Sequence, residues 1–197
     1  MEFYRYTLFN TPVITSLFRI GARLVLKLRG WKISGELPDA SKFVVIAYPH
    51  TTNWDVPLTL AISLVYRVHV HWMGKSSLFR GPMGPVMKWL GGIPINLHES
   101  RNVVRWMIDA LDNSDELVIV ISPEANRAYV EKWKTGFYHI AVGAGLPIVL
   151  GFLDFTRREG GYLETFMPTG DLERDLAEIR ARYKGIEGKY PEQSVIY

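Results

Sequence analysis

Short, continuously apolar runs alternate along this chain with longer stretches in which apolar residues recur every three or four positions. A continuous apolar run of a few residues predicts a buried strand, and the longer spacing predicts a helix with one buried face. Strands are predicted at 43–48, 68–73, 93–97, 116–122 and 147–152, and helices at 56–67, 77–92, 101–113, 133–144 and 171–183. Residues 155–166 predict a hairpin that turns at Gly160 and Gly161.

Strands that alternate with helices predict an α/β fold with a mostly parallel central sheet flanked by helices. The chain has 197 residues and shows neither internal repeats nor a linker, so we expect one domain over residues 35–197. Residues 1–34 precede it and contain an amphipathic helix. In parallel sheets ligands bind beyond the carboxyl ends of strands, and His50, Asn96 and Glu124 each lie at or just past such an end.

The N-terminal segment carries most of the positive charge. Residues 1–34 contain six basic residues and one acid, a net charge of +5, whereas the whole chain has a net charge of +3. Arg19, Arg23 and Lys27 recur every four residues as a cationic stripe, and apolar residues occupy much of the opposite surface. This pattern is typical of a helix in the interface of an anionic membrane. It is equally typical of a helix that caps the core, so we expect either or both roles, and a peripheral position at the cytoplasmic face of a membrane.

Several classes of protein are disfavoured by composition. No apolar stretch approaches the roughly 18 residues needed to cross a bilayer. A nucleic-acid-binding domain would spread its positive charge over the folded body, so we expect no nucleic-acid partner. The chain has no cysteine, which excludes disulfides, thiolate metal sites and cysteine nucleophiles.

Two histidines invite comparison with a zinc site. His69 and His71 lie on one face of a predicted strand, but zinc needs at least one more ligand, such as His98 or His139. We favour packing at the strand surface and predict no metal site. Ser122 lies outside any Gly-x-Ser-x-Gly elbow, so a serine hydrolase is not supported.

The most informative segment is Tyr-Pro-His-Thr-Thr-Asn-Trp-Asp at residues 48–55. It places His50 just after a predicted strand and Asp55 near the start of a predicted helix. A carboxylate that accepts one imidazole N–H fixes the tautomer, and the second ring nitrogen is then free to take a proton. The pair predicts an oriented general base, although a histidine and an aspartate at this spacing also occur as capping or packing residues.

Four separated segments together resemble the glycerolipid acyltransferases of the lysophosphatidic acid acyltransferase type. The resemblance covers roughly residues 40–155 and keeps the family's order and spacing. The segments are the His-x4-Asp motif at 50–55, Gly-Gly-Ile-Pro-Ile-Asn-Leu at 91–97, Ser-Pro-Glu-Ala-Asn-Arg at 122–127 and Leu-Pro-Ile-Val-Leu at 146–150. Residues 74–79 and 133–139 are similar to segments of the short bacterial members.

The resemblance implies an enzyme that moves a fatty acyl group from acyl-CoA or acyl-carrier protein to the hydroxyl of a lysophospholipid. The expected acceptor is 1-acylglycerol 3-phosphate. His50 would act as the base and Asp55 would orient it, because an attacking alcohol must lose its proton. A thiolate is a stable leaving group, so neither a covalent enzyme intermediate nor a cofactor is needed.

The sequence departs from the family in the segments that bind the acceptor. The family has aspartate and arginine where this chain has Asn96 and Leu97, and glycine and threonine where it has Ala125 and Asn126. Leucine cannot bind an anion, so cationic side chains elsewhere in the chain would have to hold a phosphate. The alternative is that these cations are ordinary solvated side chains. The candidate substrate-binding residues are Lys75, Asn96, Arg101, Glu124, Arg127 and Lys134.

Further alternatives concern the roles of these groups. Glu124 would anchor Arg127 or accept a hydrogen bond from a substrate hydroxyl. The substitution at Leu97 also fits an acceptor other than lysophosphatidate, such as a lyso-aminolipid.

Two alternative functions belong to other classes of protein. In a thioesterase or lipid hydrolase the same histidine and aspartate would activate water. A lipid-binding protein with reduced catalysis would explain the departures from the family's acceptor-binding segments, but the intact His50–Asp55 pair argues against it. An apolar set with helical spacing would form core or line the acyl site: Phe79, Met83, Val86, Met87, Trp89 and Leu90.

Overall fold

The computed structural model describes residues 4, 6–96 and 100–194 of the protein. The strands are β1 (Lys32–Ser34), β2 (Lys42–Tyr48), β3 (Val70–Lys75), β4 (Gly92–Ile95), β5 (Leu117–Ile121), β6 (Ile148–Asp154) and β7 (Glu159–Phe166). The α-helices are α1 (Ile14–Leu28), α2 (Asp55–Tyr66), α3 (Gly84–Trp89), α4 (Ser100–Asp112), α5 (Gly136–Ala144) and α6 (Leu172–Arg182). Short 3₁₀ helices lie at Ser76–Phe79, Gly81–Met83 and Pro191–Gln193.

The seven strands form one sheet in the order β1-β7-β6-β2-β5-β3-β4. Strands β2 to β6 run parallel to one another, β7 is antiparallel to β6, and β1 runs parallel to β7. The predicted α/β fold with a mostly parallel sheet and a preceding helix is therefore confirmed. Because the five parallel strands share one direction, the segments that follow them emerge at a single edge of the sheet.

Both faces of the sheet are covered, which explains why its central strands are apolar without interruption. Successive side chains point to opposite faces. Val44 and Ile46 of β2 pack with residues of α4, α5 and α6, whereas Phe43 and Val45 pack in a second cluster with Leu60 of α2. The face beneath α2 is the one that borders the site described below.

The predicted hairpin at 155–166 is wrong in its turn position. β6 pairs with β7, the turn occupies residues 155–158, and Gly160 and Gly161 lie inside β7. A Cβ atom on Gly161 would lie 1.9 Å from the carbonyl oxygen of Ser34, so glycine is required there by the close approach of β1. The apparent turn signal is thus a packing requirement imposed by a three-residue strand that sequence analysis did not predict.

The helix predicted at 77–92 is shorter than expected. Two 3₁₀ turns precede α3, which spans only Gly84–Trp89. Pro82 and Pro85 lack the N–H groups that a continuous helix needs, and Gly81 adopts a positive φ of 67°. This segment is therefore a turn-rich connection between β3 and β4.

α1 packs on α2 through a narrow face and leaves its wider apolar face in solvent. Ala22 and Leu26 are buried, and the Nε–H of Arg19 donates to the carbonyl oxygen of Leu64 at 3.0 Å. Arg19 is therefore not part of the exposed cationic stripe that the sequence predicted. The other two residues of that stripe, Arg23 and Lys27, are exposed. No helix in the described ranges is long and apolar enough to span a membrane. The exposed apolar side chains around this helix are Val13, Ile14, Leu17, Phe18, Ile20, Leu24, Val25 and Leu28.

Candidate active site

The segment between β2 and α2 places His50 at the edge of the sheet where the parallel strands end. β2 ends at Tyr48, the Tyr48–Pro49 peptide bond is cis, and α2 begins at Asp55. The Asp55 carboxylate therefore lies in the first turn of a helix, where the helix dipole favours a negative charge. The short loop returns the chain so that the histidine and the aspartate meet.

His50 and Asp55 form a hydrogen-bonded pair, as the sequence predicted. The Nδ1 atom of His50 lies 3.0 Å from Oδ2 of Asp55, and the backbone N–H groups of Thr51 and Thr52 donate to the same oxygen at 2.8 and 2.9 Å. The Asp55 side chain is 5% exposed and that of His50 is 21% exposed. With Nδ1–H donated to the carboxylate, Nε2 is the nitrogen that can accept a proton.

Glu124 holds the backbone of the histidine. Its Oε2 accepts the His50 N–H at 2.5 Å, and its side chain is buried at the end of β5, the strand next to β2. Burial raises the pKa of Glu124 to about 8; the His50 N–H opposes this rise, and the Asp55 charge adds to it. The carboxyl group is therefore mostly neutral at pH 7. Glu124 anchors His50 rather than Arg127, whose side chain instead contacts Asn53.

A cavity of about 100 Å³ opens beside this pair, between the sheet and α2. Three neighbouring strands contribute small residues to its wall at one level. Ala47 is paired with Gly151, and continuing the register of β2 and β5 places Ser122 in the same row. Apart from His50, Asp55 and Ser122 its wall is mostly apolar, including Val45, Val56, Leu60, Val70, Trp72, Met73, Val120 and Phe152. The six apolar residues of 79–90 considered for an acyl site do not line this cavity.

Three of the predicted substrate-binding residues lie at or beyond the ends of strands that stop at the same edge of the sheet. Lys75 ends β3 and Asn96 follows β4, so their backbones lie two and three strands from β2, on the order of 10 and 15 Å away. Both side chains are exposed. Arg101 is exposed in the first turn of α4, after the segment that follows Asn96. Leu97 and His98 lie outside the described residues.

Arg127 contacts the His50–Asp55 loop, and Lys134 lies beside the segment that carries Glu124. A terminal N–H of Arg127 donates to Oδ1 of Asn53, which belongs to the His50–Asp55 loop. The backbone N–H of Lys134 donates to the carbonyl oxygen of Pro123 at 2.7 Å, and the Lys134 side chain is exposed. The structure thus brings one arginine into contact with the loop and one lysine beside the segment that carries Glu124.

His69 and His71 lie under the N-terminal segment, which the sequence analysis did not predict to cover them. Their rings stack with centroids 4.6 Å apart, Nε2 of His69 lies 2.8 Å from Oγ1 of Thr7, and Phe9 stacks on His69. Burial, and then the neighbouring His69, lower the pKa of His71 to about 4, so its imidazole is neutral at pH 7. Within the described ranges no group of three or more side chains is arranged to hold a metal ion.

Two contributors to the site were missed by sequence reasoning. The N–H groups of Thr51 and Thr52 fix Asp55, but backbone donors leave no signal in residue identity. Ser122 had a detectable signal, because it continues the alternation of Val118 and Val120 on the face beneath α2 with a polar residue.

Comparison with known proteins places this chain in a family. The family model for acyltransferases matches residues 32–149, more than half of the chain. The 1-acyl-sn-glycerol-3-phosphate acyltransferase of Haemophilus influenzae is 26% identical over 155 residues, 74% of this chain and 63% of the relative, so the chain spans less than two thirds of that protein. The fold resembles the crystal structure of the 1-acyl-sn-glycerophosphate acyltransferase PlsC from Thermotoga maritima, with a TM-score of 0.59 and 18% identity, over 85% of this chain and 76% of the other. On the strength of the family match, this chain belongs to the acyltransferase family.

Proposed function

We propose that this protein transfers a fatty acyl group from an acyl thioester to the hydroxyl of a lysophospholipid, with 1-acylglycerol 3-phosphate as the expected acceptor. The observation that carries the proposal is the His50–Asp55 pair, joined at 3.0 Å beside an apolar cavity in a member of the acyltransferase family. The name of the Haemophilus influenzae relative supports the choice of acceptor.

In the proposed reaction Nε2 of His50 removes the proton from the acceptor hydroxyl as the oxygen attacks the thioester carbonyl. Asp55 keeps the imidazole in the required tautomer and stabilises the imidazolium. The tetrahedral intermediate then expels the thiolate, which takes the proton from His50. The base is thereby regenerated, and neither a cofactor nor a covalent enzyme intermediate is required for acyl-CoA or acyl-carrier protein to act as donor.

The substrates have separate places in this proposal. The cavity of about 100 Å³ is smaller than the roughly 300–1,000 Å³ of pockets that enclose whole ligands, so it takes only the part of the acyl chain near the carbonyl. Arg127 and Lys134 bind the acceptor phosphate beside the loop, because a guanidinium makes bidentate contacts to phosphate. Lys75, Asn96 and Arg101 lie farther along the same edge and contact the more distant parts of the substrates.

The exposed face of α1 supports a peripheral membrane role for residues 1–34, with residues 35–197 as the acyltransferase domain. Its apolar side chains cover an arc of roughly 160° at 100° per residue, and Arg23 and Lys27 border it. An apolar face flanked by cations fits the surface of an anionic membrane. We place that membrane surface on the cytoplasmic side, where anionic lipids are concentrated.

The test is acyl transfer by the purified protein. One acyl-CoA is offered with lysophosphatidate, an uncharged lysolipid or a lyso-aminolipid, thiol release is followed, and products are identified by mass spectrometry. Transfer to lysophosphatidate is expected, with a loss of at least about 10²-fold in His50→Ala. The matched variant His139→Ala, an exposed histidine on α5, should transfer normally. Thiol release that needs no lysolipid would instead indicate a hydrolase and would contradict the proposal.

A further inference from the structure

Ser122 is a polar residue on a face of the sheet where the neighbouring side chains of the same strand are apolar. It follows β5, whose Val118 and Val120 point to the face beneath α2 and are buried there. The alternation of side chains puts Ser122 on that same face, and it lines the cavity together with His50 and Asp55. Its neighbour in the same row on β2 is the small residue Ala47, which lines the same cavity.

The hydroxyl of Ser122 has no hydrogen-bonding role among the described residues. Its Oγ atom is buried and makes no hydrogen bond within the part of the chain that the structure describes. A buried hydroxyl without a partner costs free energy, so such groups are rare unless a ligand or water completes them. The cavity beside it is the place where that partner would lie.

Acyl transfer needs a hydrogen-bond donor for the oxyanion that forms on the thioester carbonyl. The first three backbone N–H groups of the His50–Asp55 loop do not supply it. A tetrahedral oxyanion is stabilised by donors aimed at it, and backbone N–H groups often serve. Here the N–H of His50 is taken by Glu124, and those of Thr51 and Thr52 are taken by Asp55. These three donors are thus committed to holding the base, not to the substrate.

We propose that Ser122 is a further catalytic residue, whose hydroxyl donates a hydrogen bond to the carbonyl oxygen of the acyl thioester. This inference rests on the proposed acyl transfer. As the acceptor oxygen attacks, its proton passes to Nε2 of His50, and the carbonyl π electrons move onto the oxygen that Ser122 binds. When the carbonyl re-forms, the carbon–sulfur bond breaks, and the thiolate takes the proton from His50.

Steady-state kinetics of Ser122→Ala provide the main test, with acyl-CoA as donor and lysophosphatidate as acceptor. Loss of an oxyanion donor should lower kcat on the order of 10²-fold with little change in KM for the donor. Ser122→Thr retains a hydroxyl and should retain most of the activity. The unfolding midpoint of Ser122→Ala should not fall, because the substitution breaks no hydrogen bond within the described protein.

Ser63→Ala is the matched control. Ser63 is also buried, but it lies on α2 outside the cavity lining, and its hydroxyl donates to the carbonyl oxygen of Thr59 at 2.9 Å. Its alanine variant should unfold at a lower temperature and keep its kcat. The two variants thus separate a catalytic hydroxyl from a structural one.

The outcomes distinguish this inference from the proposed function. Wild-type protein that transfers acyl groups, together with unchanged kcat in Ser122→Ala, would mean that Oγ holds only a water and would overturn the inference alone. A wild-type protein without transfer would refute the proposed function. A second measurement does not depend on turnover: the carbonyl stretch of a ¹³C-labelled acyl-CoA bound to His50→Ala should lie at lower frequency than in the double variant with Ser122→Ala, and equal frequencies would refute the contact.

Discussion

Replacing Glu124 with glutamine tests whether the buried carboxyl that holds His50 is neutral at physiological pH. Burial raises its pKa from 4.5 to about 8, and the Asp55 charge contributes in the same direction. Glutamine has the same shape as a protonated glutamate and keeps a carbonyl oxygen that can accept the His50 N–H. The variant should therefore fold normally and remain active at pH 7, where the native group is mostly protonated.

The sign of the pH dependence follows from the raised pKa. Between pH 4.5 and about 8 the folded protein holds a proton on Glu124 that the unfolded chain has lost, so rising pH favours unfolding. The contribution of the neutral group is fully present below pH 4.5 and is lost as the pH rises through 8. Because one pKa unit corresponds to about 1.4 kcal/mol, the loss amounts to a few kcal/mol.

The assay is the free energy of unfolding in urea at several pH values from 5 to 8.5. Wild-type stability should fall relative to Glu124→Gln by a few kcal/mol across this range. Glu131→Gln, which removes an exposed carboxyl, is the control and should follow the wild-type curve. Parallel curves for wild type and Glu124→Gln would show that Glu124 ionises normally in the folded protein, and the reasoning from its burial would be refuted.

Three further predictions test the catalytic pair, the N-terminal helix and a strained backbone position. Asp55→Asn should lower kcat by roughly 10²–10⁴-fold through loss of the orienting charge, while circular dichroism remains unchanged; near-normal kcat would contradict its role. Leu17→Glu combined with Leu24→Glu should abolish sedimentation with anionic liposomes without lowering the unfolding midpoint, because both side chains are more than half exposed. Ala125 has a positive φ of 56°, so Ala125→Gly should raise the free energy of unfolding by about 1 kcal/mol in urea titrations; a decrease would show that the loop is not strained there.

The sequence was sufficient to predict the five parallel strands of the sheet and the pairing of its main catalytic candidates. β2, β5 and β6 are continuously apolar because both faces of the sheet are buried, and such runs are visible without a structure. His50 and Asp55 are close in sequence, so a single short loop joins them. Local patterns of this kind are determined by neighbouring residues and can be predicted from them.

The features of the site and of α1 that were not predicted depend on contacts between segments that are distant in sequence. The anchoring of His50 by Glu124 joins residues 74 positions apart, and Arg127 contacts Asn53 over the same separation. Arg19 has the spacing of an exposed stripe, but the docking of α1 on α2 turns it toward Leu64. Spacing along one helix cannot reveal which face a second helix will cover.

The rigid length of α2 sets a constraint on how the protein can vary. Leu64 receives the hydrogen bond from Arg19 of α1, and Asp55 begins the same helix nine positions earlier, a rise of roughly 13 Å. One inserted residue between them would rotate Asp55 by about 100° about the helix axis relative to the α1 contact. Length changes in surface loops would be absorbed, whereas this helix must keep its phase for the α1 contact and the acid–imidazole pair to keep their relative orientation.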